Sequence, residues 1–409
     1  MKRYYIGVDW GDRLHQVYVC DQEGNQVNDF RVKEEVKDLA EVGRWLDEQR
    51  AAGFELWAAI EKPAGRIVDF LLDHGATLYP VNPKATDRVR DRYRMSDSKS
   101  DPFDAYILAQ YLRTDQAHLK VLRPASDKAQ ELKLLCRDHR RVVRQKTRLL
   151  NQLTITLKEY YPRPLDAFGD LDTDIALDFL TRYPTPADLN ALKHKDFNRF
   201  ARQEHHLSKE RCEQLWNKLT PAQLPVPEHV VRAKAQWTQV LIDQLRAAIK
   251  AVKIYNHKVE SFFASCPVAK MAKSLPGAKS GTLVPSLWAE LGDGVGRWES
   301  FAHLQAEAGT VPVTKSSGKT RVVHFRFACN KHLRYTIYWF AFVSLNQCEW
   351  AKLYYRQQRA KGHDHPQALR ALGAKWMKII FVMWRDHEAY DEKLHLANIA
   401  LQNMRQKAA

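Results

Sequence analysis

The chain has 409 residues, with 64 Lys and Arg against 48 Asp and Glu, which gives a net charge of +16 and a pI of about 9.5. A hydrophobic content of 45% is enough for about two or three folded domains and excludes wholesale disorder. The mean hydropathy is −0.50 and no apolar run approaches the ~20 residues of a membrane span, which excludes an integral membrane protein. The positive excess indicates a polyanionic partner.

The N-terminus and the cysteines both predict a cytoplasmic protein. Met1-Lys2-Arg3 leads directly into an apolar segment, without the small-residue cleavage site of a secretory signal. The six cysteines form no CxxC pair, a pattern that is typical of reduced thiols and argues against a disulfide framework or a zinc finger.

Residues 1–125 alternate short apolar runs with amphipathic stretches. Strands are predicted at residues 4–8 and 16–20, and the turn at Gly24-Asn25 predicts an antiparallel return into a third strand. The pattern then predicts a helix over 35–50, a strand over 56–60, a helix over 66–74, a strand over 77–81 that Pro80 places at a sheet edge, and a helix from Asp101. A strand meander followed by alternating strands and helices predicts an α/β domain with a mixed sheet.

Long helices are predicted for residues 126–268. On the first, apolar residues recur at seven-residue spacing until Tyr161-Pro162 ends the pattern. On the second, a seam of apolar residues with alternating spacings of four and three predicts a coiled coil: Leu241, Leu245, Ala248, Val252, Tyr255, Val259 and Phe262. Such a seam must be covered, so it predicts either self-association or pairing with the first helix. The Pro-punctuated segment 162–227 is interpreted as an insertion with helical pieces and has no functional interpretation.

Residues 269–409 are predicted to form shorter helices joined by a Gly- and Ser-bearing loop at 309–318. Within this region, residues 311–380 hold thirteen Lys and Arg against only Glu349 and Asp364. A smaller basic cluster facing few acids lies on the first long helix, at Arg137, Arg140, Arg141, Arg144, Lys146 and Arg148. A charge run is often only a solvated helix face. Interleaved with Tyr and Trp, as here, it favours a surface that binds nucleic acid.

Four carboxylates have a plausible route to one point. Asp9 and Glu61 each end an apolar strand, where α/β sheets place their chemistry, and Asp101 and Asp104 share one face at the start of a helix. Taken singly, each has an ordinary interpretation as a turn or cap residue, such as Asp101 as a helix N-cap. Like charges about 4 Å apart repel by ~4 kcal/mol at an effective dielectric near 20, so a cluster needs cations. Hard oxygen ligands suit Mg²⁺, with two ions as the usual clamp for phosphodiester chemistry.

The order and spacing of Asp9, Glu61, Asp101 and Asp104 resemble the RuvC-like branch of the RNase H fold. Within that branch they resemble the DEDD transposases of bacterial insertion sequences, also known as bridge-RNA-guided recombinases. Actin-like ATPases and sugar kinases share the opening Asp9-Trp10-Gly11 but need Gly-rich phosphate loops that this sequence does not supply convincingly. The resemblance covers residues 4–123 and 270–380, and implies three regions: a RuvC-like domain over 1–125, a helical region with an insertion over 126–268, and a transposase domain over 269–409.

A second group of motifs lies in the C-terminal region. The Gly-x-x-x-Gly segment at 274–282, between two predicted helices, is interpreted either as a hairpin that presents backbone N–H groups to a phosphate or as a plain helical hairpin. On composition, Ser316-Ser317-Gly318 is only a flexible loop. The resemblance extends from Pro312 to Arg334 and places the family's nucleophilic serine at Ser317, with Ser316 as the alternative. The segment 325–329 departs from the family pattern.

The resemblance implies a DNA recombinase that joins metal-bound carboxylates and a serine in a composite site. It further implies Mg²⁺, donor and target DNA, a structured noncoding guide RNA, a homo-oligomer between dimer and tetramer, and a place in the bacterial cytoplasm at the nucleoid. The candidate nucleic-acid-binding residues are Arg140, Arg141, Arg144, Arg148, Lys315, Lys319, Arg321, Arg326, Lys331 and Arg334. Two alternatives stay open: a RuvC-like nuclease or Holliday-junction resolvase that uses water, and a non-catalytic nucleic-acid-binding protein.

Overall fold

The structure is a computed structural model in which the chain divides into two units, Met1–Pro124 and Ala125–Ala409. It describes residues 2–408 apart from 12–13, 34, 62, 64, 94–99, 280, 294–296 and 319, and apart from the side chains of 399, 402–403 and 405–408. The predicted division at residue 268 is not tested by these two units and stays a prediction. None of the described helices combines the length and the hydrophobicity of a membrane span.

The first unit is built on a five-stranded mixed sheet. Its strands are β1 (Arg3–Trp10), β2 (Leu14–Cys20), β3 (Gln26–Lys33), β4 (Glu55–Ile60) and β5 (Thr77–Pro80). Its helices are α1 (Val36–Ala51), α2 (Arg66–Asp73), α3 (Pro83–Tyr93) and α4 (Asp101–Asp115). The strand order is β3-β2-β1-β4-β5, with β1, β2 and β3 antiparallel and β1, β4 and β5 parallel. This confirms the predicted RuvC-like mixed-sheet fold, including the edge position of Pro80.

Alternating side chains of the strands separate the two faces of this sheet. On one face Ile6 and Val8 of β1 belong to a buried cluster with residues of α1 and α2. On the other face Tyr5 of β1 belongs to a cluster with Ala105 and Leu108 of α4. The sheet is therefore covered by helices on both faces, which explains why β1 and β4 are apolar over most of their length.

Gly7 allows α4 to lie directly against β1. A Cβ atom built at Gly7 would lie 1.8 Å from the carbonyl oxygen of Ala105 and 2.6 Å from the backbone nitrogen of Ala109. Both atoms belong to the backbone of α4, so no side-chain rotation could relieve the overlap. Glycine is the residue type that this approach permits, and it fixes the distance between the helix and the strand.

The second unit is helical apart from one hairpin, in the part of the chain that is described. Two long helices, α5 (Asp127–Tyr160) and α11 (Glu228–Ala264), are its framework. Between them come α6 (Arg163–Ala167), α7 (Asp174–Arg182), α8 (Pro186–Ala191), α9 (His194–Arg199) and α10 (Lys209–Leu219). After them come α12 (Ala269–Ala272), α13 (Leu283–Leu291), α14 (Phe301–Glu307), β6 (Val313–Ser317), β7 (Thr320–His324), α15 (Lys331–Ser344), α16 (Glu349–Ala360), α17 (His365–Asp386) and α18 (Glu392–Ala408).

The apolar seam of α11 is covered by α5 of the same chain over much of its length. Leu241 and Leu245 share a buried cluster with Leu153 and Leu157 of α5 and with the short helices of the segment 162–227. Tyr160 at the end of α5 donates a hydrogen bond of 3.1 Å to the Thr238 hydroxyl of α11. Pairing within the chain was one of the two predicted explanations of the seam, and the predicted oligomer stays a prediction.

In the C-terminal region one local prediction is corrected, and hydrogen bonds bear on the two interpretations of the 274–282 segment. Residues 313–317, predicted as part of a loop, form strand β6, which pairs with β7 in the register Ser317↔Thr320. In the 274–282 segment, the N–H of Gly281 donates to the Glu260 carboxylate at 2.9 Å and that of Gly277 donates to the side chain of Gln347. These two donors are engaged within the chain rather than free for a phosphate.

We expect Gly7→Ala to destabilise the chain by about 3 kcal/mol, at the upper end of the usual cost of overpacking a core. The added methyl meets backbone atoms of α4, so either β1 or α4 must move. Urea denaturation of the full chain measures the change. Gly169→Ala is the matched control, because a Cβ there has nothing within 4 Å. Equal stability of the two variants would contradict the role of Gly7.

Candidate active site

Asp9 and Glu61 lie side by side at one end of the sheet. Strands β1 and β4 are parallel and Val8 pairs with Ile60, so the next residue of each chain segment is one of these two acids. Neighbouring strands lie about 4.8 Å apart. The register of β1 and β4 therefore places the two carboxylates next to each other, as predicted.

Helix α4 brings the other two carboxylates to the same end of the unit. Asp101 is its first residue and Asp104 lies one turn later, while Ser100, rather than Asp101, is the N-cap residue. Pro102 occupies the first turn, as predicted, because its missing N–H has no partner there in any helix. The close contact between α4 and Gly7 places this helix start beside the β1 end that carries Asp9.

The electrostatics of Asp9 show that the four carboxylates share one environment. Burial and then the negative charges of Asp104, Asp101 and Glu61, in that order of size, together raise the pKa of Asp9 from its usual 3.8 to about 6, while Arg90 opposes the shift. Asp9 is thus the carboxylate on which the charges of the other three act.

Arg90 of α3 is a buried partner of this group that was not predicted from the sequence. Its Nε and one terminal nitrogen both donate to Oδ1 of Asp104, at 3.0 and 2.7 Å, and the other terminal nitrogen donates to Asp87 at 2.7 Å. Only 8% of Arg90 is exposed. The guanidinium therefore neutralises part of the acidic group and holds Asp104 in place.

The four carboxylates are suitable ligands for a hard divalent cation, although their oxygen atoms do not converge on one point. The four carboxylates supply only oxygen atoms, and burial together with the charges of the other three carboxylates raises the pKa of Asp9. Among the described residues, however, no group of three or more Asp, Glu, His or Cys side chains is arranged to hold an ion. One oxygen of Asp104 is already engaged by Arg90, which is a physical reason for this arrangement.

Ser317 lies at the exposed tip of the β6–β7 hairpin in the second unit. It is the last residue of β6 and precedes Gly318, whose φ of +54° favours glycine at the turn. Ser316 pairs with Arg321 across the hairpin, and Lys315 with Val322. The hairpin is exposed along both strands except at Val313, so the serines and the cations Lys315 and Arg321 are open to solvent. Lys319 lies outside the described residues.

Some of the predicted basic residues form ion pairs with carboxylates, whereas others line a cavity with no acid among its described lining residues. On α5, Arg137 pairs with Glu290, Arg141 with Asp138, and Lys146 with Asp172, so this cluster meets more acids than predicted. By contrast, one cavity of about 450 Å³ is lined by four of the predicted residues together with Arg370, which was not singled out: Arg140, Arg144, Lys331 and Arg334. Arg148 is exposed on α5, and the Nε of Arg326 donates to the Val311 carbonyl at 3.2 Å.

A buried carboxylate, Glu290 of α13, connects α5 to the start of α15. Glu290 of α13 accepts two hydrogen bonds from Arg137, at 2.8 and 2.9 Å, and one from Asn330 at 2.9 Å. Burial raises the pKa of Glu290, but these bonds outweigh it and leave the pKa below its usual range. The side-chain Oδ1 of Asn330 also caps α15 by accepting from the backbone N–H groups of His332 and Leu333. Asn330 therefore has a structural role in the Asn330–Arg334 motif.

The chain therefore combines a RuvC-like mixed-sheet unit, with four carboxylates at one end, and a helical unit that carries basic residues. Residues 6–162 match the DEDD domain of IS110-type elements, described as a transposase, and residues 269–356 match a domain described as a transposase of the IS116/IS110/IS902 family.

Full-length relatives agree with these domains. The chain is 30% identical over 400 residues to the candidate mini-circle transposase of IS117 from Streptomyces coelicolor, with 95% of each chain covered. It is 24% identical over 402 residues to the uncharacterized 43.6 kDa protein of insertion element IS110 from the same organism, which covers 95% of this chain and 96% of that one. It is 23% identical over 393 residues to the uncharacterized 42 kDa protein of IS900 from Mycobacterium paratuberculosis, with 94% and 96% covered. The chain belongs to the IS110 family of transposases, which act on DNA.

We expect Asp9→Asn to stabilise the metal-free chain above pH 6. The raised pKa of Asp9 means that the folded chain favours the protonated acid, so stability falls as the pH rises from about 4 to 6. Asn cannot ionise and avoids this loss, which we put at about 2 kcal/mol because Asp9 is only partly buried. The gain should vanish near pH 4, and urea denaturation in EDTA at several pH values measures it.

The exposed Asp73→Asn controls for the loss of one charge at the surface of the same unit. If Asp9→Asn and the wild type show the same dependence of stability on pH, the electrostatic description of this site is wrong.

Proposed function

We propose that the chain catalyses cleavage and exchange of DNA strands, with Asp9, Glu61, Asp101 and Asp104 holding Mg²⁺ and Ser317 as the nucleophile. The observation that carries the proposal is the shared environment of the four carboxylates, in which three of them raise the pKa of Asp9. A protein has little reason to gather such charges unless a cation compensates for them. Family membership supports DNA as the substrate.

In this proposal each residue has a defined task. The four carboxylates would bind Mg²⁺, which when bound supplies positive charge for the phosphate oxygens and the leaving oxygen. Arg90 orients Asp104 and withholds one of its oxygens. The Ser317 oxygen forms a bond to phosphorus while a DNA phosphorus–oxygen bond breaks, and the hydroxyl proton ends on the leaving sugar oxygen. The number of phosphoester bonds is conserved, so the strand can be resealed without an external energy source.

The proposal includes a noncoding guide RNA, a homo-oligomer between dimer and tetramer, and action at the bacterial nucleoid. The support for RNA and DNA is the net charge of +16 and the basic segment 311–380. The guide RNA and the oligomer otherwise depend on the family resemblance.

We expect Ser317→Ala to bind DNA normally but to form neither a covalent adduct nor a recombinant product, because no other group supplies the lost oxygen. A nicked suicide substrate that traps the stalled reaction, followed by mapping of the modified peptide, measures the adduct. Ser317 is exposed at a hairpin tip, so the substitution should leave the thermal stability unchanged.

Ser316→Ala is the matched control, since its hydroxyl lies on the same strand one residue away. An adduct that maps to Ser316 would make the hairpin right and the residue wrong. A wild-type chain that cleaves DNA without any adduct would instead identify a water nucleophile and the RuvC-like nuclease activity.

We expect DNA binding to weaken steeply with salt, since the basic surface must displace counterions. Engaging six to ten phosphates would lower the affinity by about three to five orders of magnitude between 50 and 200 mM salt. Arg321→Gln should reduce the slope of log K against log salt by about 0.9. The exposed Arg211→Gln on α10, outside the basic segment, should leave the slope unchanged. A flat salt dependence would mean that the basic segment is only solvated.

A further inference from the structure

Two cavities of the second unit meet at Phe325, directly after strand β7. The first, of about 610 Å³, is lined by residues that include Arg326, Lys375 and Lys378. The second, of about 450 Å³, is the one lined by Arg140, Arg144, Lys331 and Arg334. Phe325, Thr310 and Arg370 line both. The pair is large enough for a small ligand, since ligand sites usually measure about 300–1,000 Å³.

The charge of these cavities has a single sign. Arg140, Arg144, Lys331, Arg334 and Arg370 line the second cavity, and no Asp or Glu is among the described residues that line either one. This differs from the rest of α5, where Arg137, Arg141 and Lys146 each have a carboxylate partner. Five cations gathered around one cavity without acids predict an anionic occupant.

Phe325 adds an aromatic surface to this charge. The guanidinium groups of Arg334 and Arg370 each lie 5.0 Å from the centre of its ring, and Arg140 lies 3.6 Å from the centre of the Tyr335 ring. Phe325 is still 37% exposed and Tyr335 is 43% exposed. Exposed rings braced by guanidinium groups are the surface on which unpaired nucleobases stack, while the cations contact the backbone phosphates.

The position along the chain connects this cavity to the proposed nucleophile. Phe325 follows His324, which pairs with Val313 at the base of the hairpin, whereas Ser317 is at the tip. The base and the tip of the hairpin are four residue steps apart along the strand, which is about 13 Å at ~3.3 Å per residue. That is about four steps of a DNA strand at ~3.4 Å each.

We propose that the Phe325 cavity binds an unpaired nucleotide of the DNA strand a few nucleotides from the phosphate that Ser317 attacks. The base stacks on Phe325, and Arg334, Arg370 and Lys331 contact its phosphates. This positions the strand along the hairpin. The inference rests on the proposed function for the position of the cut, but the cavity's preference for an unpaired nucleotide can be measured without cleavage.

The test measures binding of a short fluorescein-labelled oligothymidylate to the full chain in EDTA, by fluorescence anisotropy. The background is Ser317→Ala, so that no strand can be cut. Phe325→Ala should lower the affinity roughly tenfold to a hundredfold, the usual effect of removing a stacking ring. Phe325→Tyr should keep it. Arg370→Gln should also weaken binding and reduce the salt slope by about 0.7, the single-strand value.

Two substitutions control for nonspecific effects. Trp237→Ala removes an aromatic ring of α11, 44% exposed, that lines neither cavity. Arg356→Gln removes an exposed cation of α16 that also lines neither. Both should bind the oligonucleotide within about twofold of the parent. Thermal melting of all variants should match, because Phe325 lies outside the buried core.

Three results would overturn the inference: equal binding by Phe325→Ala, an equal loss in Trp237→Ala, or displacement of the oligothymidylate by an oligouridylate at a much lower concentration, which would assign the cavity to RNA. These results are separate from failure of the proposed function. That would appear as cleavage without an adduct at Ser317, with oligothymidylate binding unchanged.

Discussion

The acidic site depends on how closely α4 lies against β1, and this distance is set by a missing side chain. Gly7 leaves no atoms between the strand and the backbone of α4 at Ala105 and Ala109. The sheet register fixes Asp9 beside Glu61, and the position of α4 then decides how near Asp101 and Asp104 come to them. An apolar contact far from solvent thus determines a polar arrangement at the end of the sheet. Because backbone atoms form the contact, it allows little adjustment.

In the acidic site, repulsion among the carboxylates is partly compensated by the positive charge of Arg90. Burial and three neighbouring carboxylates raise the pKa of Asp9, while Arg90 supplies the opposing charge through Asp104. The Arg90 guanidinium does not neutralise all four acids, because it donates its hydrogen bonds to Asp104 and Asp87. Asp9, Glu61 and Asp101 receive no hydrogen bond from Arg90, so an added cation would relieve most repulsion beside these three acids.

Much of the first unit could be predicted from the sequence because its signals are local. Apolar alternation located the strands, and Asp9 and Glu61 follow directly from where they end. Pro102 indicated the start of α4. Arg90 could not be predicted, since its burial depends on the packing of α3 against α4 rather than on any pattern around it. The hairpin at 313–324 was missed for another reason: both of its strands are largely exposed, so they lack the alternation that reveals a half-buried strand. Asn330 was noticed only as part of a motif, and its bond to Glu290 requires α13 and α15 to be adjacent.

The exposed hairpin has a consequence for how reactivity is controlled. A two-stranded hairpin without a packed face is marginally stable by itself, so the geometry of its tip depends on what it touches. The proposed nucleophile Ser317 would gain a fixed orientation there only when a ligand lies along the strands. The free chain would then be a poor hydrolase towards stray phosphodiesters, and chemical competence would be acquired together with the correctly assembled substrate.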